Sequence, residues 1–371
     1  VNKFTKIKTN KMEKIKKHRF PYEWTLKDAN FTKDKGSVFS CFACGGGSTM
    51  GYKLAGFDVL GCNEIDPKMI EAYKVNHKPK YAYLEPIQTF KLRKDLPKEL
   101  YNLDILDGSP PCSSFSMAGN REKDWGKEKK FREGQAEQVL DNLFFDFIDL
   151  AKELQPKVIV AENVSGLMMG NAKDYVKKIY IEFQKAGYQL RIEPYLLDAS
   201  KMGVPQRRKR VFFVALRNDL ANNFMEQVDM FQVAPKLDLN FNEKEIPFKE
   251  IDDIYTKKAE TKICPSYLIC WNKCEEGKGF NTVHHKGMLH NSSKLDRNKV
   301  LPTIAAHRDG GSYHWLHPRP LTKLENCKAG SYPLDYDFLK LKSKYLIGMS
   351  VPPLMTANIA TEIYNQWISK F

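Results

Sequence analysis

Three groups of reactive or charged residues follow or begin short apolar runs in this chain. Cys112 lies behind two prolines in GSPPCSSFS, Glu162 ends the apolar part of KVIVAEN, and QRRKR places three arginines and a lysine within residues 206–210. A thiolate can attack a substrate covalently, a carboxyl group can move a proton, and guanidinium groups can bind a carbonyl and favour the thiolate. Taken alone, Cys112 fits a small buried residue better, so its chemistry depends on what surrounds it.

A glycine turn comes earlier in the chain, in FACGGGSTMGYKLAGFDVLGCNEID at residues 42–66. A strand, a glycine turn, a helix and a second strand that ends in Glu64, 17 residues after Gly47, are typical of a unit that binds an adenosine group. Neither GxGxxG nor the Lys-Ser/Thr of a phosphate-binding loop is present. S-adenosylmethionine, which has no phosphate, therefore fits better than a dinucleotide, and a tight turn without a ligand is the alternative.

Apolar runs alternate with amphipathic stretches such as PKMIEAYKVN and QVLDNLFFDFIDLAKEL from about residue 37 to 216. The order predicts an α/β fold with a doubly wound, Rossmann-like parallel sheet. Ligands bind at the carboxyl ends of such strands, so Gly47, Glu64, Cys112 and Glu162 should face one cleft. The five runs are VFSCFA (38–43), FDVLGCNE (57–64), LDILDG (103–108), KVIVAEN (157–163) and RVFFVAL (210–216).

Four segments follow from composition. Residues 1–36 carry eleven Lys/Arg against four Asp/Glu and are predicted to form a basic tail, either a phosphate-contacting arm or a solvated tail. Residues 37–216 form the catalytic domain that would bind the cofactor. Residues 217–316 are a linker and a smaller, loop-rich domain, and residues 317–371 return to the first domain with a C-terminal helix.

Composition excludes several classes of protein. The 371 residues are 42% hydrophobic, which suits a soluble globular protein of two domains. No apolar run approaches the ~20 residues of a membrane span, and the N-terminus lacks the apolar core of a signal peptide, so we expect an intracellular protein. The eight cysteines are interpreted as free thiols. A net charge of +14 suggests a polyanionic partner, although a ribosomal or membrane-surface protein would also fit.

The ordered series FACGGG, NEID, GSPPCSSFS, AENV, QRRKR and GMSVPP resembles the DNA cytosine-5 methyltransferases of the bacterial or phage type. It covers residues 38 to about 360. The resemblance implies the fold of class I S-adenosylmethionine-dependent methyltransferases, S-adenosyl-L-methionine as cofactor and double-stranded DNA as partner. It also implies a monomer in the cytoplasm, associated with the nucleoid, with a cognate restriction endonuclease as an optional companion.

The resemblance implies roles for individual residues. Cys112 would be the nucleophile that adds to carbon 6 of cytosine, Glu162 would stabilise the ring nitrogen N3, and Arg208 and Arg210 would be active-site groups that contact the cytosine. The target base must leave the helical stack to be reached, so base flipping is implied. Cofactor contacts are implied at Phe42, Gly45, Gly47, Glu64, Ile65, Ile87, Pro111, Leu143, Ser350 and Val351.

Two further stretches are predicted to contact DNA. The basic segment 118–138, with Trp125 and Phe131, is similar to the family's mobile catalytic loop, although an ordinary charged loop is the alternative. The base-reading part of the second domain is expected in residues 270–299 and 305–315, where His, Asn, Ser, Lys and Arg mix with glycines.

A zinc site is not predicted. Cys264, Cys270 and Cys274 lie near His284 and His285, but their C-x5-C-x3-C spacing differs from the usual C-x2-C pairs.

Three positions depart from the family's pattern. Cys44 replaces the first glycine of the turn, Pro86 stands where an Asp is usual, and Met349 stands where an Asn is usual. Each departure touches the cofactor side, so we expect weaker cofactor binding. Two other functions stay open: an RNA (tRNA) cytosine-5 methyltransferase, against which the sizeable second domain argues, and a non-catalytic DNA-binding relative, against which Cys112, Glu162 and Arg210 argue.

Overall fold

The computed structural model describes residues 18–111, 128–129, 138–139, 142–169, 172–228, 232–306 and 311–371. Cys112 and most of segment 118–138 lie outside the described residues, as do residues 307–310 of the predicted base-reading stretch. The strands are β1 (Ser37–Cys41), β2 (Asp58–Glu64), β3 (Tyr81–Leu84), β4 (Ile105–Gly108), β5 (Glu128–Lys129), β6 (Gln138–Val139), β7 (Val158–Val164), β8 (Tyr188–Gln189), β9 (Tyr195–Asp198), β10 (Lys209–Arg217), β11 (Met225–Gln227), β12 (Val233–Pro235), β13 (Ser292–Lys294) and β14 (Gly311–Tyr313).

The helices are α1 (Gly47–Ala55), α2 (Pro67–His77), α3 (Ile87–Phe90), α4 (Leu143–Leu154), α5 (Ala172–Lys185), α6 (Asn218–Ala221), α7 (Pro265–Lys273), α8 (Lys323–Ala329), α9 (Ser343–Met349) and α10 (Pro353–Gln366). No helix among the described residues combines the length and the apolar character that crossing a membrane requires.

The main sheet has eight strands in the order β3-β2-β1-β4-β7-β10-β8, with β9 also paired to β10. The first five strands pair in parallel. Apolar clusters lie on both faces, since Val38 belongs to one cluster and the next residue, Phe39, to the other. The predicted doubly wound α/β fold is confirmed.

One strand runs against the prediction. The run RVFFVAL was expected to be parallel, yet β10 pairs antiparallel with β7, β8 and β9. Phe212 and Phe213 are both buried, one in each apolar cluster. A strand buried on both faces has the same apolar pattern in either direction, so its composition could not reveal the antiparallel pairing.

Local signals explain where α2 begins and ends. Asp66 caps it by accepting hydrogen bonds from the N–H groups of Lys68 (2.9 Å) and Met69 (3.3 Å), and Pro67 occupies the first turn. The helix ends at His77, and the next residue, Lys78, has a left-handed backbone. By contrast α4 begins at Leu143 and not at the predicted Gln138.

The C-terminal helix α10 packs directly on α1. A Cβ atom at Gly51 would lie 2.4 Å from the carbonyl oxygen of Pro353, so the two helices touch at their backbones. This contact joins the C-terminal return segment to the helix that follows the glycine turn.

Residues 18–36, which the sequence assigned to a basic tail, pack on the large core. Phe20 and Trp24 are 4% and 1% exposed, and the Trp24 indole N–H donates to the carbonyl of Ser331 at 3.3 Å. Asp335 accepts the N–H of Leu26 at 2.7 Å. The count of charged residues gave no sign that these aromatic side chains are buried. Residues 1–17 lie outside the described residues.

The predicted linker and second domain contains a separate small apolar cluster. Cys270, Cys274, Phe280 and Tyr313 form its buried part, and β13 pairs with β14 beside it. Buried apolar side chains from residues 221–251 belong instead to the large cluster on the main sheet that contains Val38.

Candidate active site

A cavity of about 250 Å³ lies where the carboxyl ends of β1, β2, β3, β4 and β7 meet. Segment 348–351 and the start of β10 complete its wall. The structure therefore brings together most of the predicted site residues, as parallel-strand topology requires. Those that line the cavity are Phe42, Gly47, Glu64, Ile65, Ile87, Pro111, Glu162, Arg208, Arg210, Ser350 and Val351.

Two predicted cofactor contacts do not line this cavity. Leu143 is fully buried in the apolar cluster at the start of α4. Gly45 lies one residue beyond the lining segment 42–44 and packs against Leu346, which would stand 2.5 Å from a Cβ atom at position 45. Leu143 shares its apolar cluster with Ile87, which does line the cavity.

The glycine turn holds its backbone in a strained shape. Phe42, Cys44 and Gly46 have φ angles of 52°, 48° and 85°. The left-handed region costs a residue with a side chain roughly 1–2 kcal/mol. The Gly46 N–H donates to the carbonyl of Ala43 at 2.8 Å, which closes the turn. The turn at Phe42 and Cys44 therefore needs support from its surroundings.

Glu64 gives part of that support from the end of β2. Its Oε2 accepts the N–H of Cys44 at 2.7 Å, and its Oε1 accepts the N–H groups of Ile65 and Asp66, both at 2.9 Å. Three backbone donors thus fix the carboxylate at the cavity wall.

Gly47 is required by contacts within the protein. A Cβ atom at this position would lie 2.4 Å from the carbonyl oxygen of Val351 and 2.6 Å from the Tyr332 hydroxyl. The space that a side chain at position 47 would need is taken by segment 350–351 and the Tyr332 hydroxyl. The turn and the return segment can therefore form one wall.

At the other end of the cavity, Glu162 and Arg210 form an ion pair. Arg210 Nε lies 2.9 Å from Glu162 Oε1, and both side chains are mostly buried. The next residue in β7, Asn163, donates from its Nδ2 to the carbonyl of Pro110 at 3.2 Å. This hydrogen bond holds Pro110 beside the carboxyl end of β7.

Arg208 is held by carbonyl groups from two other parts of the chain. It is 2% exposed, and its two terminal NH₂ groups donate to the carbonyls of Ile304 (3.1 Å) and Gly348 (3.0 Å). Burial, and then the charge of Arg210, lower the pKa of Arg208 to about 9, so it stays protonated at neutral pH. Arg208 lines the cavity while joining three distant segments of the chain.

Sequence reasoning missed Asp107, because it lies inside the apolar run of β4. Its carboxylate is buried and accepts hydrogen bonds from the hydroxyls of Ser40 (2.7 Å), Ser48 (2.8 Å) and Tyr52 (3.2 Å). Burial raises the pKa of Asp107 to about 6. The residue ties β4 to β1 and to the first turn of α1, where Ser48 lines the cavity.

The three departures from the family's pattern, Cys44, Pro86 and Met349, all line the cavity. Glu85 lines it as well and forms an ion pair with Arg93, at 2.8 Å. The carboxylates, the aromatic ring of Phe42 and the aliphatic walls suit the hydroxyls and the base of a nucleoside. Among the described lining residues, the lysine and arginine side chains are Arg208 and Arg210, so the end of the cavity formed by β1, β2 and β3 offers a phosphate group no such cation.

Within residues 217–316, Cys270 and Cys274 are buried in the small apolar cluster and Cys264 is exposed. Within the described ranges, no group of three or more His, Cys, Asp or Glu residues could hold a metal ion.

The model of one family, the C-5 cytosine-specific DNA methylases, matches residues 36–365. Type II methyltransferase M.Eco47II of Escherichia coli is 31% identical over 354 residues, which cover 91% of this chain and 79% of that protein. Type II methyltransferase M.FnuDI of Fusobacterium nucleatum is 36% identical over 183 residues, so that match covers 49% of this chain and about half (47%) of the relative.

Among solved structures, the Dnmt2 methyltransferase of S. pombe superposes with a TM-score of 0.57 at 16% identity, over 89% of this chain and 98% of that chain. At this identity the likeness concerns the fold. With the family match over most of the length and with the motifs gathered round one cavity, the chain belongs to the family of C-5 cytosine-specific DNA methylases.

Proposed function

We propose that this protein transfers a methyl group from S-adenosylmethionine to carbon 5 of a cytosine in double-stranded DNA. One observation carries the proposal: a single cavity has the glycine turn and Glu64 at one end, the Glu162–Arg210 pair at the other, and Pro111 between them. A nucleoside site and an acid–base site thus share one space, as a transfer between two bound molecules requires.

The cofactor would occupy the end formed by β1, β2 and β3. Glu64 would receive the ribose hydroxyls, and Phe42, Ile65 and Ile87 would pack against the base. Ser350 and Val351 would close the side nearest the methionine part. When bound there, S-adenosylmethionine supplies an electrophilic methyl group on a sulfonium.

Cys112 would act as the nucleophile, since carbon 5 of cytosine is too poor a nucleophile to take a methyl group unaided. The thiolate would add to carbon 6, and electron density would move onto carbon 5, which would accept the methyl group as the sulfonium–methyl bond breaks and leaves a neutral thioether. Loss of the carbon 5 proton to a base in the medium then expels the thiolate and restores the ring. The hydrogen bond from Asn163, the neighbour of Glu162, to the carbonyl of Pro110 supports this role, because Pro110 comes only two residues before Cys112 in the sequence.

Glu162 would stabilise the adduct at the ring nitrogen N3, which becomes more basic as the thiolate adds. Arg210, 2.9 Å from Glu162 Oε1, would orient that carboxyl group and bind the neighbouring carbonyl O2 of the base. Because the cavity walls surround these groups, the cytosine would have to leave the DNA stack to reach them.

The two named relatives are type II methyltransferases, so we also propose a cognate restriction endonuclease as the companion of this protein. Recognition of the DNA sequence would fall to the small cluster around Phe280 and Tyr313 and the segments beside it, 270–299 and 305–315.

The test uses S-adenosylmethionine with a labelled methyl group, genomic DNA of varied sequence and total RNA. After digestion to nucleosides, mass spectrometry should find the label in 5-methyldeoxycytidine. Cys112→Ala should abolish transfer, and Cys264→Ala, which changes an exposed cysteine outside the cavity, should leave it unchanged.

Three results would contradict the proposal in different ways. Label on an amino nitrogen would remove the carbon 5 chemistry. Label in RNA alone would favour the RNA methyltransferase alternative. Transfer that survives in the Cys112→Ala variant would remove the covalent step.

A further inference from the structure

The carbonyl group of Gly45 is bound by two side chains from opposite parts of the chain. The Tyr336 hydroxyl donates to this oxygen, and His77 Nε2 lies 3.3 Å from it. His77 ends α2, whereas Tyr336 belongs to the C-terminal return segment. A carbonyl oxygen has two lone pairs, so these two donors fill its capacity.

His77 can only donate to Gly45, since a carbonyl oxygen accepts. Burial holds the pKa of His77 well below its usual value, so the ring is neutral and carries one N–H. That proton must be on Nε2, because Nδ1 is buried without a hydrogen-bond partner in the described structure. The ring also fills the space beside Gly46, where a Cβ atom would lie 2.2 Å from Nε2.

Tyr336 is held in place by its own neighbours. Asn76 and Asp337 exchange two hydrogen bonds, both of 2.8 Å, from the Asn76 amide to the Asp337 carbonyl and from the Asp337 N–H back to the amide oxygen. The rings of His77 and Tyr336 meet edge to face, with centroids 6.2 Å apart. The end of α2 and the return segment therefore form a rigid pair of donors.

We infer that His77 and Tyr336 are positioning residues that hold the glycine turn in its cofactor-binding shape before the cofactor arrives. The inference rests on the proposed function, in which this turn binds S-adenosylmethionine. Since Phe42 and Cys44 are left-handed at 52° and 48°, the turn would relax without support. Fixing the peptide between Gly45 and Gly46 from behind leaves the cavity side open, and preorganisation lowers the cost of binding.

Tyr336→Phe tests this inference because it removes the hydroxyl alone. Loss of one buried hydrogen bond should weaken binding of S-adenosylmethionine about five- to tenfold by calorimetry. The turnover number at saturating cofactor should be unchanged, since neither residue lines the cavity. His77→Phe should act in the same way, and His77→Gln, which keeps a donor, should restore most of the affinity.

Tyr188→Phe is the matched control. Tyr188 is fully buried and donates to the carbonyl of Pro156 at 2.9 Å, in the apolar cluster on the other side of the sheet. The Tyr188→Phe variant should lose thermal stability as Tyr336→Phe does, while its affinity for the cofactor stays unchanged. Equal affinity in wild type, Tyr336→Phe and His77→Phe would overturn the inference.

Hydrogen exchange on the cofactor-free protein separates this inference from the proposed function. In Tyr336→Phe and His77→Phe the amides of residues 42–50 should exchange faster than in wild type, and in Tyr188→Phe they should not. Unchanged exchange in the first two variants overturns the positioning role. A wild-type protein that binds no S-adenosylmethionine overturns the proposed function instead.

Discussion

Glu162 and Arg210 form an ion pair across an antiparallel ladder. Glu162 lies opposite Phe212 in the pairing of β7 with β10, and Arg210 is two residues from Phe212, so its side chain projects from the same face. Arg210 Nε therefore reaches Glu162 Oε1 diagonally, at 2.9 Å. If β10 ran parallel to β7, its first residues would lie at the other end of the strands, away from the cavity. The antiparallel direction therefore brings the Arg210 guanidinium to the cavity.

The first prediction concerns Arg210→Lys. Lysine keeps the charge but loses the planar fork that can bind a carboxylate and a carbonyl together. We expect the rate of methyl transfer to fall about a hundredfold, as for loss of an acid–base group, with the free energy of unfolding nearly unchanged. Single-turnover kinetics and urea unfolding would measure the two quantities.

Arg217→Lys is the matched control for that prediction. Arg217 ends the same strand and pairs with Asp219 at 2.7 Å, away from the cavity. Equal rates in Arg210→Lys and Arg217→Lys would show that the ion pair with Glu162 has no part in the reaction.

The second prediction concerns Arg208→Lys. A lysine cannot reach both the Ile304 and Gly348 carbonyls, so at least one buried acceptor loses its partner. We expect the free energy of unfolding to fall by about 2–3 kcal/mol. Urea unfolding of Arg208→Lys beside Arg210→Lys would test this. A stable Arg208→Lys protein that fails only in the chemical step would contradict the structural role and would support the predicted cytosine contact.

The contrast between the two arginines shows what sequence could predict. The strand ends that carry Glu64 and Glu162 followed from apolar runs, because each run stops where its polar residue begins. The roles within QRRKR did not follow, since the carbonyl partners of Arg208 lie 96 and 140 residues away. Contacts at such distances depend on tertiary packing, which no local pattern records.

Asp107 and residues 18–36 were missed for a similar reason. A single Asp inside an apolar strand has the local pattern of an ordinary strand end, and its partners Ser40, Ser48 and Tyr52 come from β1 and α1. Phe20 and Trp24 lie in a segment rich in lysine. The count of charged residues predicted a tail there and gave no sign that these two side chains are buried.

The third prediction is a pH dependence of stability from Asp107. Burial raises the pKa of Asp107 from 3.8 to about 6, so between these pH values the folded protein holds a proton that the unfolded chain has lost. Its contribution to stability is full below about pH 4 and declines as the pH rises to about 6, by about 3 kcal/mol in all. Asp107→Asn cannot titrate and should lack this decline.

Urea unfolding of both proteins from about pH 2 to pH 7 would measure the difference and would include the range below pH 3.8 in which Asp219 acts. Asp219→Asn is the control of opposite sign, because a hydrogen bond from Arg217 lowers the pKa of Asp219. The stabilising effect of Asp219 is lost as the pH falls through its lowered pKa. Parallel stability curves for wild type and Asp107→Asn would contradict the prediction.

The fourth prediction concerns the departures at Pro86 and Met349, which both line the cofactor end of the cavity. Pro86→Asp adds a carboxylate beside Ile87 that can accept from an amino group of the bound base, and Met349→Asn adds an amide near Ser350. We expect each change to strengthen binding of S-adenosylmethionine several-fold, about the effect of one hydrogen bond, as measured by calorimetry.

Capping must be separated from binding in that experiment, because Pro86 precedes α3 and an Asp there would also cap the helix. Pro97→Asp provides the comparison: Pro97 precedes the short helix Lys98–Tyr101 in the same extended conformation and does not line the cavity. It should gain the capping stability and leave cofactor affinity unchanged. If Pro86→Asp and Met349→Asn bind the cofactor no better than wild type, the departures at these positions do not weaken the cofactor site.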